Sequence, residues 1–313
     1  MIDYVARRTL ATIPVLLLVA IIVFSLLYLA PGDPAAVLAG DQATAEEIAR
    51  IRATLGLDQS FLTRFFQWGG GILRGDLGVS VFSGKPVTTL IAQRLEPTIA
   101  LTFMSLFFAV LIALPLGVLA AWKADSWLDK GAMGFAVLGF SVPVFVLAYC
   151  LIFIFSVQLK WFPIQGYKPI AAGFGSFLSH MILPSFGLGL LNAALIARTT
   201  RAAMLEVLRQ DYIRTAQAKG LSTARVLIGH ALKNAAIPIV TIIGISFAML
   251  ISGVVVTETV FNIPGVGRLV VDAILRRDYP VIQGVILLFS LTYVVVNLLV
   301  DLSYVLLDPR IRL

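Results

Sequence analysis

Apolar side chains run along this chain in six long blocks, separated by polar stretches of unequal length. The blocks fall near Leu10–Leu29, Thr98–Ala120, Met133–Gln158, Met181–Ala197, Ala235–Val256 and Val281–Leu306. A helix needs roughly 20 apolar residues to cross a hydrocarbon layer about 30 Å thick. Each block is therefore read as a spanning helix, which makes the fold class an all-α polytopic membrane protein with six transmembrane helices. The fourth block is the shortest and contains Pro184, Gly187 and Gly189. The blocks are apolar nearly all round, so periodicity does not assign their faces. Arg7 and Arg8 precede the first block as they would a signal-peptide core. The run is too long for such a core and five more blocks follow, so it is read as an uncleaved span.

The polar stretches carry their own signals. After the first span, Thr44 followed by Glu47 forms a capping box. Ile48, Ile51 and Leu55 then share a helical face and Gly56 offers a left-handed stop, which predicts a short surface helix over 45–55. Phe61, Phe65, Phe66 and Trp68 follow and are expected at the membrane interface, where aromatic rings settle. Between the fourth and fifth blocks, Asp211 can cap a helix from Tyr212 to Lys219 that Gly220 ends, and Ser222 can cap a second helix leading into the fifth span. Lys219 suits the C-terminal end of the helix dipole. Ala216, Ala218 and Gly220 carry almost no side chain, so a partner surface can approach this backbone closely. Connections are usually only a few residues long, and this one is read as a docking surface.

Composition supports the membrane assignment: 59% of residues are apolar, 13% are charged and the mean hydropathy is +0.96. A soluble domain is about a quarter charged. The net charge of +7 is read as marking the cytoplasmic side and not nucleic-acid binding, because Lys and Arg collect in inner loops. With the N-terminus inside, inner segments hold 13 of the 24 basic residues, seven of them between Arg198 and Lys233. Six others lie in the long outer loop, which is translocated largely regardless of charge. Both termini are expected in the cytoplasm. The lone Cys150 excludes an internal disulfide and is read as a small core side chain.

Enzyme chemistry finds little support. Gly78–Lys85 resembles a P-loop but has five residues between its glycines, and Pro86 stands where Ser or Thr would hold Mg²⁺, so it is read as a turn-rich loop. His180 and His230 fall on opposite expected sides of the membrane, and with one cysteine no metal-ligand spacing exists. Ser246 in the fifth span has no histidine at its depth and reads as a helix-packing residue. Asn192 is either a path-lining residue or an interhelical hydrogen-bond partner; Asp301 suggests an anchor to a basic neighbour, and Glu258 sits at the outer mouth of the fifth span. Intramembrane charges are too few for an ion-coupled relay.

At Arg214-Thr215-Ala216 with Ala218-Lys219-Gly220, and again at His230-Ala231-Leu232, Asn234-Ala235 and Ile237-Pro238, the chain resembles the membrane permease subunit of ABC importers. The general pattern of that family is Glu-Ala-Ala, three residues, Gly, then Ile-x-Leu-Pro. Arg214 and Thr215 replace its first two residues, and Ile237-Pro238 comes late, as in the dipeptide/oligopeptide/nickel branch. Pro31–Pro34, Leu55–Asp58, Gly75–Gly78, Leu183-Pro184, Glu258–Phe261, Pro264–Gly267, Arg277–Pro280 and Leu307–Arg310 extend the resemblance over nearly the whole chain. The long first outer loop is similar to the B-type permease of that branch, including its glutathione permeases.

The resemblance implies a binding-protein-dependent importer of the inner membrane, with this chain as half of the path. Its partners would be a homologous second permease, two cytoplasmic ATPase subunits and a periplasmic substrate-binding protein, all at the lipid bilayer. The chain itself would bind no cofactor, because ATP and Mg²⁺ belong to the ATPases, and it would not be an enzyme. Residues Tyr212, Arg214, Thr215, Ala216, Ala218, Lys219, Gly220 and Leu221 would couple to the ATPases. Glu258, Phe261, Pro264, Gly265 and Gly267 would form a periplasmic gate or receptor platform, and Asn192 is a candidate for lining the path. The domains expected are 1–30 as N-terminus and first span, 31–97 as periplasmic loop with short helices, and 98–313 as the permease core, with the coupling loop at 198–234. The cargo implied is a dipeptide, oligopeptide or glutathione; a nickel or metal-chelate importer of the same branch and an ion-coupled secondary transporter are the alternatives.

Overall fold

The computed structural model describes residues 2–29, 35–36, 43–54 and 56–307. The motifs at 31–34 and 308–310, and Leu55, lie outside the described residues. The elements in chain order are α1 (Ile2–Leu29), α2 (Ala45–Thr54), α3 (Phe61–Leu73), α4 (Val87–Trp122), α5 (Trp127–Ser141), α6 (Val144–Leu151), α7 (Phe174–Leu208), α8 (Asp211–Ala218), α9 (Ala236–Val260), α10 (Val266–Leu275) and α11 (Tyr279–Leu307). Wider, π-type turns continue α6 over Ile152–Gln158 and precede α9 over Arg225–Leu232.

Among the described residues, four helices (α1, α4, α7 and α11) are long and apolar enough to cross a membrane, and the count reaches six when each of two bent pairs is one span. The expected third span is corrected to a broken one, in which Trp127–Gly139 turns by 106° into Val144–Gln158; the expected fifth span is α9, and a 75° bend from Arg225–Leu232 into Ala236–Ile251 comes just before it. Proline explains both positions. Pro143 stands at the N-cap of α6, and Pro238 in the first turn of α9, where its missing N–H costs nothing. The fourth span is corrected in the other direction. It is not short but a 35-residue helix, α7, with Pro184 inside and buried.

The chain divides into two compact units. One comprises Glu96–Arg268 with the segment from Val295 onward. Its core joins Leu101, Leu151, Met181, Leu183, Leu250, Val254, Phe261 and Ile263. Close helix approach depends on small residues, as it does wherever lipid replaces water as the solvent. A Cβ on Gly189 of α7 would lie 2.5 Å from the Ser105 carbonyl of α4, and one on Gly253 of α9 would lie 2.6 Å from Leu188. Gly189 is one of the two glycines noted in the fourth block. Ser246 is fully buried, in keeping with a packing role. Cys150 is exposed, which corrects its reading as a core residue.

The other unit comprises Ile2–Leu95 and Leu269–Val294. The capping box forms here: Glu47 Oε2 accepts from Thr44 N at 2.8 Å and Thr44 Oγ1 from Glu47 N at 3.3 Å. The Thr44 bonds hold the Glu47 carboxyl below its ordinary range. Gly56 takes φ 63° after α2, as the stop signal requires. The P-loop look-alike is a turn-rich loop, closed by an antiparallel bridge between Val79 and Pro86 and by Val87 N–H to Gly78 O at 3.0 Å. Buried Asp278 pins that loop, accepting from Ser80 Oγ at 2.5 Å and Val81 N at 3.2 Å.

Candidate functional site

The stretch between the fourth and fifth spans forms the short helix α8, held flat by its apolar side. Ile213 and Ala216 are 1% and 6% exposed and join Met204, Val226, Leu227 and Ala231 in one cluster. The remaining residues, Asp211, Tyr212, Arg214, Thr215, Gln217, Ala218, Lys219 and Gly220, are exposed, and Leu221 is half-buried. Ala216 therefore faces the permease and not a partner, correcting its place on the outward surface. Asp211 is likewise corrected. It is the first helical residue, and Gln210 stands at the N-cap without a side-chain bond. Partial burial raises the Tyr212 phenol above its usual range. Arg214 reaches Asp211 at 3.4 Å, an exposed pair that contributes little.

The end of α8 is tightly specified. Gly220 adopts φ 77°. Its N–H bonds to Gln217 O at 2.9 Å, and Leu221 N–H reaches back to Ala216 O at 3.3 Å. This is a Schellman motif with its hydrophobic contact, since Leu221 packs on the cluster that holds Ala216. Val226 N–H bonds to the carbonyl of Ser222 at 3.0 Å, which starts the π-type segment containing half-buried His230.

The second sequence-marked region follows α9. Asn262 at φ 53° ends that helix, with Ile263 N–H bonded to Glu258 O at 2.8 Å. Glu258 is fully buried. Its Oε1 accepts from Thr98 Oγ1 at 2.6 Å and its Oε2 from Arg268 N at 2.8 Å, while Thr98 Oγ1 accepts from Val266 N at 2.8 Å. Gly265 and Gly267 leave the space this carboxylate fills: a Cβ at Gly265 would overlap it, and one at Gly267 would lie 3.0 Å from Oε2. Phe261 and Ile263 are buried at 3% and 0%. The Glu258–Gly267 block is thus a closed polar knot tying the start of α4 to the turn before α10. Glu258, expected at the outer mouth of the fifth span, lies near the end of α9 with its carboxylate inside the knot.

Asn192 donates from Nδ2 to Leu188 O of its own helix at 3.0 Å, so this bond is not interhelical. Sequence reasoning missed the ion pair between Arg201 on α7 and Asp129 on α5, whose second contact, Arg201 Nη2 to Asp129 Oδ2, is 2.6 Å. Ser126 and Asp129 do carry a local helix-start signal, and Ser126 Oγ accepts from Asp129 N at 3.4 Å. Nothing local names Arg201 as the partner. Glu96 accepts from Tyr167 Oη at 2.8 Å and Ile170 N at 3.0 Å; burial, then this bond, raises the Tyr167 phenol. Among the described residues no three His, Cys, Asp or Glu side chains gather as metal ligands do.

An all-helical, multi-span chain with a clamped surface helix defines the class, a membrane permease of the type I ABC importer fold. The methionine transporter MetNI in an inward-facing form matches with TM-score 0.58 at 18% identity, over 70% of this chain and 96% of that one. An amino acid ABC transporter solved with histidines matches with TM-score 0.51 at 16% identity, over 69% and 93%. The family model "Binding-protein-dependent transport system inner membrane component" matches residues 113–313, and its N-terminal companion matches residues 1–102. The chain belongs to this family, whose members are transport subunits and not catalysts. It is 53% identical to the probable peptide ABC transporter permease protein y4tP of Sinorhizobium fredii, covering 99% of each chain. It is 45% identical to the glutathione transport system permease protein GsiC of Salmonella typhimurium, over 100% of this chain and 99% of that one.

Proposed function

We propose that this chain is one of two homologous permeases forming the path of an ATP-driven, binding-protein-dependent importer of peptides, glutathione included. The observation that carries the reading is α8: a helix whose inner side is buried in the permease, whose ends are fixed, and whose outer side presents Tyr212, Arg214, Thr215, Ala218, Lys219 and Gly220. A lever must be rigid on one side and free to be gripped on the other. ATPase subunits beneath the membrane grip it, with Arg214 and Lys219 meeting acidic groups. ATP and Mg²⁺ are bound there and not by this chain. Residues 98–313 act as the permease core, 198–234 as its coupling loop and 31–97 as a periplasmic loop, with both termini cytoplasmic. The Glu258–Gly267 knot holds the periplasmic turn on which the substrate-binding protein lands, and Asn192 lies along the path. Peptide cargo is supported by the names of the relatives.

The test is co-purification. ATPase subunits should accompany the intact chain and be lost when 212–221 is exchanged for a flexible linker of equal length; retention after the exchange refutes the coupling role.

A further inference from the structure

Helix α3 carries two apolar stripes, and the described residues cover only one of them. Ser60 caps the helix, its Oγ accepting from Thr63 N at 3.3 Å. Phe61, Phe65 and Trp68 then set their rings against Phe24 of α1, with centroids 5.2, 5.4 and 5.1 Å away. Arg64 bonds to Tyr28 Oη at 2.7 Å, and its guanidinium lies 5.5 Å from the ring centres of both Phe24 and Tyr28. These contacts fix the rotation of α3 about its axis. Three of the four aromatic residues expected at the interface thus pack on the end of α1, and Phe66 does not.

The second stripe is Leu62, Phe66, Gly69 and Leu73. At about 100° per residue these positions share an arc of roughly 60°. Leu62, Phe66 and Leu73 are 64%, 71% and 90% exposed, while exposed Thr63 and Gln67 lie to the other side. Three consecutive glycines, Gly69–Gly71, weaken α3 as a free helix. A 13-residue helix of this composition is marginal without a surface to lie on. We propose that the surface is the lipid bilayer: α3 lies in the headgroup boundary of the leaflet that the C-terminal end of α1 reaches, with Leu62, Phe66 and Leu73 entering the acyl region. The argument for lipid is continuity. The flank of α1 exposes Leu18, Ile22 and Leu29 at 58%, 53% and 75%, and α1 is a spanning helix. α3 packs on Phe24 and Tyr28, in the last turns of that span, so its uncovered stripe lies beside the end of a helix long and apolar enough to cross a membrane. Arg64 and the Tyr28 hydroxyl, at the end of the apolar run of α1, mark headgroup level as such side chains do. The division into packed, apolar and polar sides is that of an interfacial helix.

Spin labelling tests this without reference to cargo. In the assembled transporter, in phosphatidylethanolamine/phosphatidylglycerol nanodiscs and a Cys150→Ser background, single labels go on Leu62→Cys, Phe66→Cys, Leu73→Cys, Thr63→Cys and Gln67→Cys. All five positions are exposed, so the fold tolerates the labels. The ratio of O₂ to NiEDDA accessibility should be several-fold higher at 62, 66 and 73 than at 63 and 67. Equal ratios overturn the proposal. Stripe labels shielded from both reagents assign the stripe to another subunit, and labels open to NiEDDA until the binding protein is added assign it to that receptor; either result also overturns it.

Discussion

Replacing Thr98 by valine keeps side-chain shape and removes one hydroxyl from the knot around Glu258. That hydroxyl donates to Glu258 Oε1 at 2.6 Å and accepts from Val266 N at 2.8 Å. Each buried partner deprived of its bond costs about 1–3 kcal/mol, so Thr98→Val should destabilise the protein by about 2–6 kcal/mol. Thr98→Ser keeps both bonds and loses one methyl, about 0.8 kcal/mol. The assay is heat-induced unfolding in detergent micelles, followed by tryptophan fluorescence. At about 2–4 °C per kcal/mol for a chain of this order of size, valine should lower Tm by about 4–24 °C and serine by about 2–3 °C. A valine variant within about 2 °C of the parent on that scale, or a serine variant as damaged as the valine one, would refute the role given to the hydroxyl.

Other substitutions probe the remaining features. Arg201→Ala leaves Asp129, with a side chain 4% exposed, without its guanidinium partner; it should cost about 2–3 kcal/mol, less than for a fully buried pair because Arg201 is partly solvated. The double variant with Asp129→Ala should cost clearly less than the sum of the two single changes, and strict additivity in the thermal assay would contradict the pairing. Gly220→Arg imposes a side chain at φ 77° where no neighbour lies within 4 Å of a Cβ. Membrane insertion should persist while uptake is lost, and normal uptake would count against docking at α8. Arg277 holds φ 56° in the turn after α10, a conformation costing a non-glycine residue roughly 1–2 kcal/mol. Arg277→Gly should raise stability by up to about 1 kcal/mol, the strain relief being partly offset by unfolded-state entropy; a lower Tm would show that the arginine side chain does more than fill the turn.

What was legible in the sequence was local. Thr44 and Glu47 sit three residues apart and make their reciprocal bonds without help from the rest of the chain. Gly220 follows a small-residue run and takes the left-handed turn it signalled. The six apolar blocks mark the spans because the membrane sets one length for all of them. Faces were not legible, since a helix that is apolar all round gives no period. Cys150 was accordingly placed on the wrong side, whereas Ala216 lies on an amphipathic helix where Ile213, three residues before it, marks the buried face. The break before α6 had a signal in Pro143, which the hydropathy of the block concealed. The pairs Asp129–Arg201, Ser80–Asp278 and Thr98–Glu258 join residues 72, 198 and 160 positions apart. No local pattern selects such partners; they follow only once the helices are assembled.

The central claim is that this chain is a conduit moved by nucleotide-hydrolysing partners. The most direct measurement reconstitutes the purified permease in sealed vesicles, alone and with its second permease, ATPases and binding protein, and follows accumulation of labelled peptide with and without ATP. The account expects uphill uptake only in the complete, ATP-supplied vesicles; accumulation by the single chain under an ion gradient, without nucleotide, would contradict it.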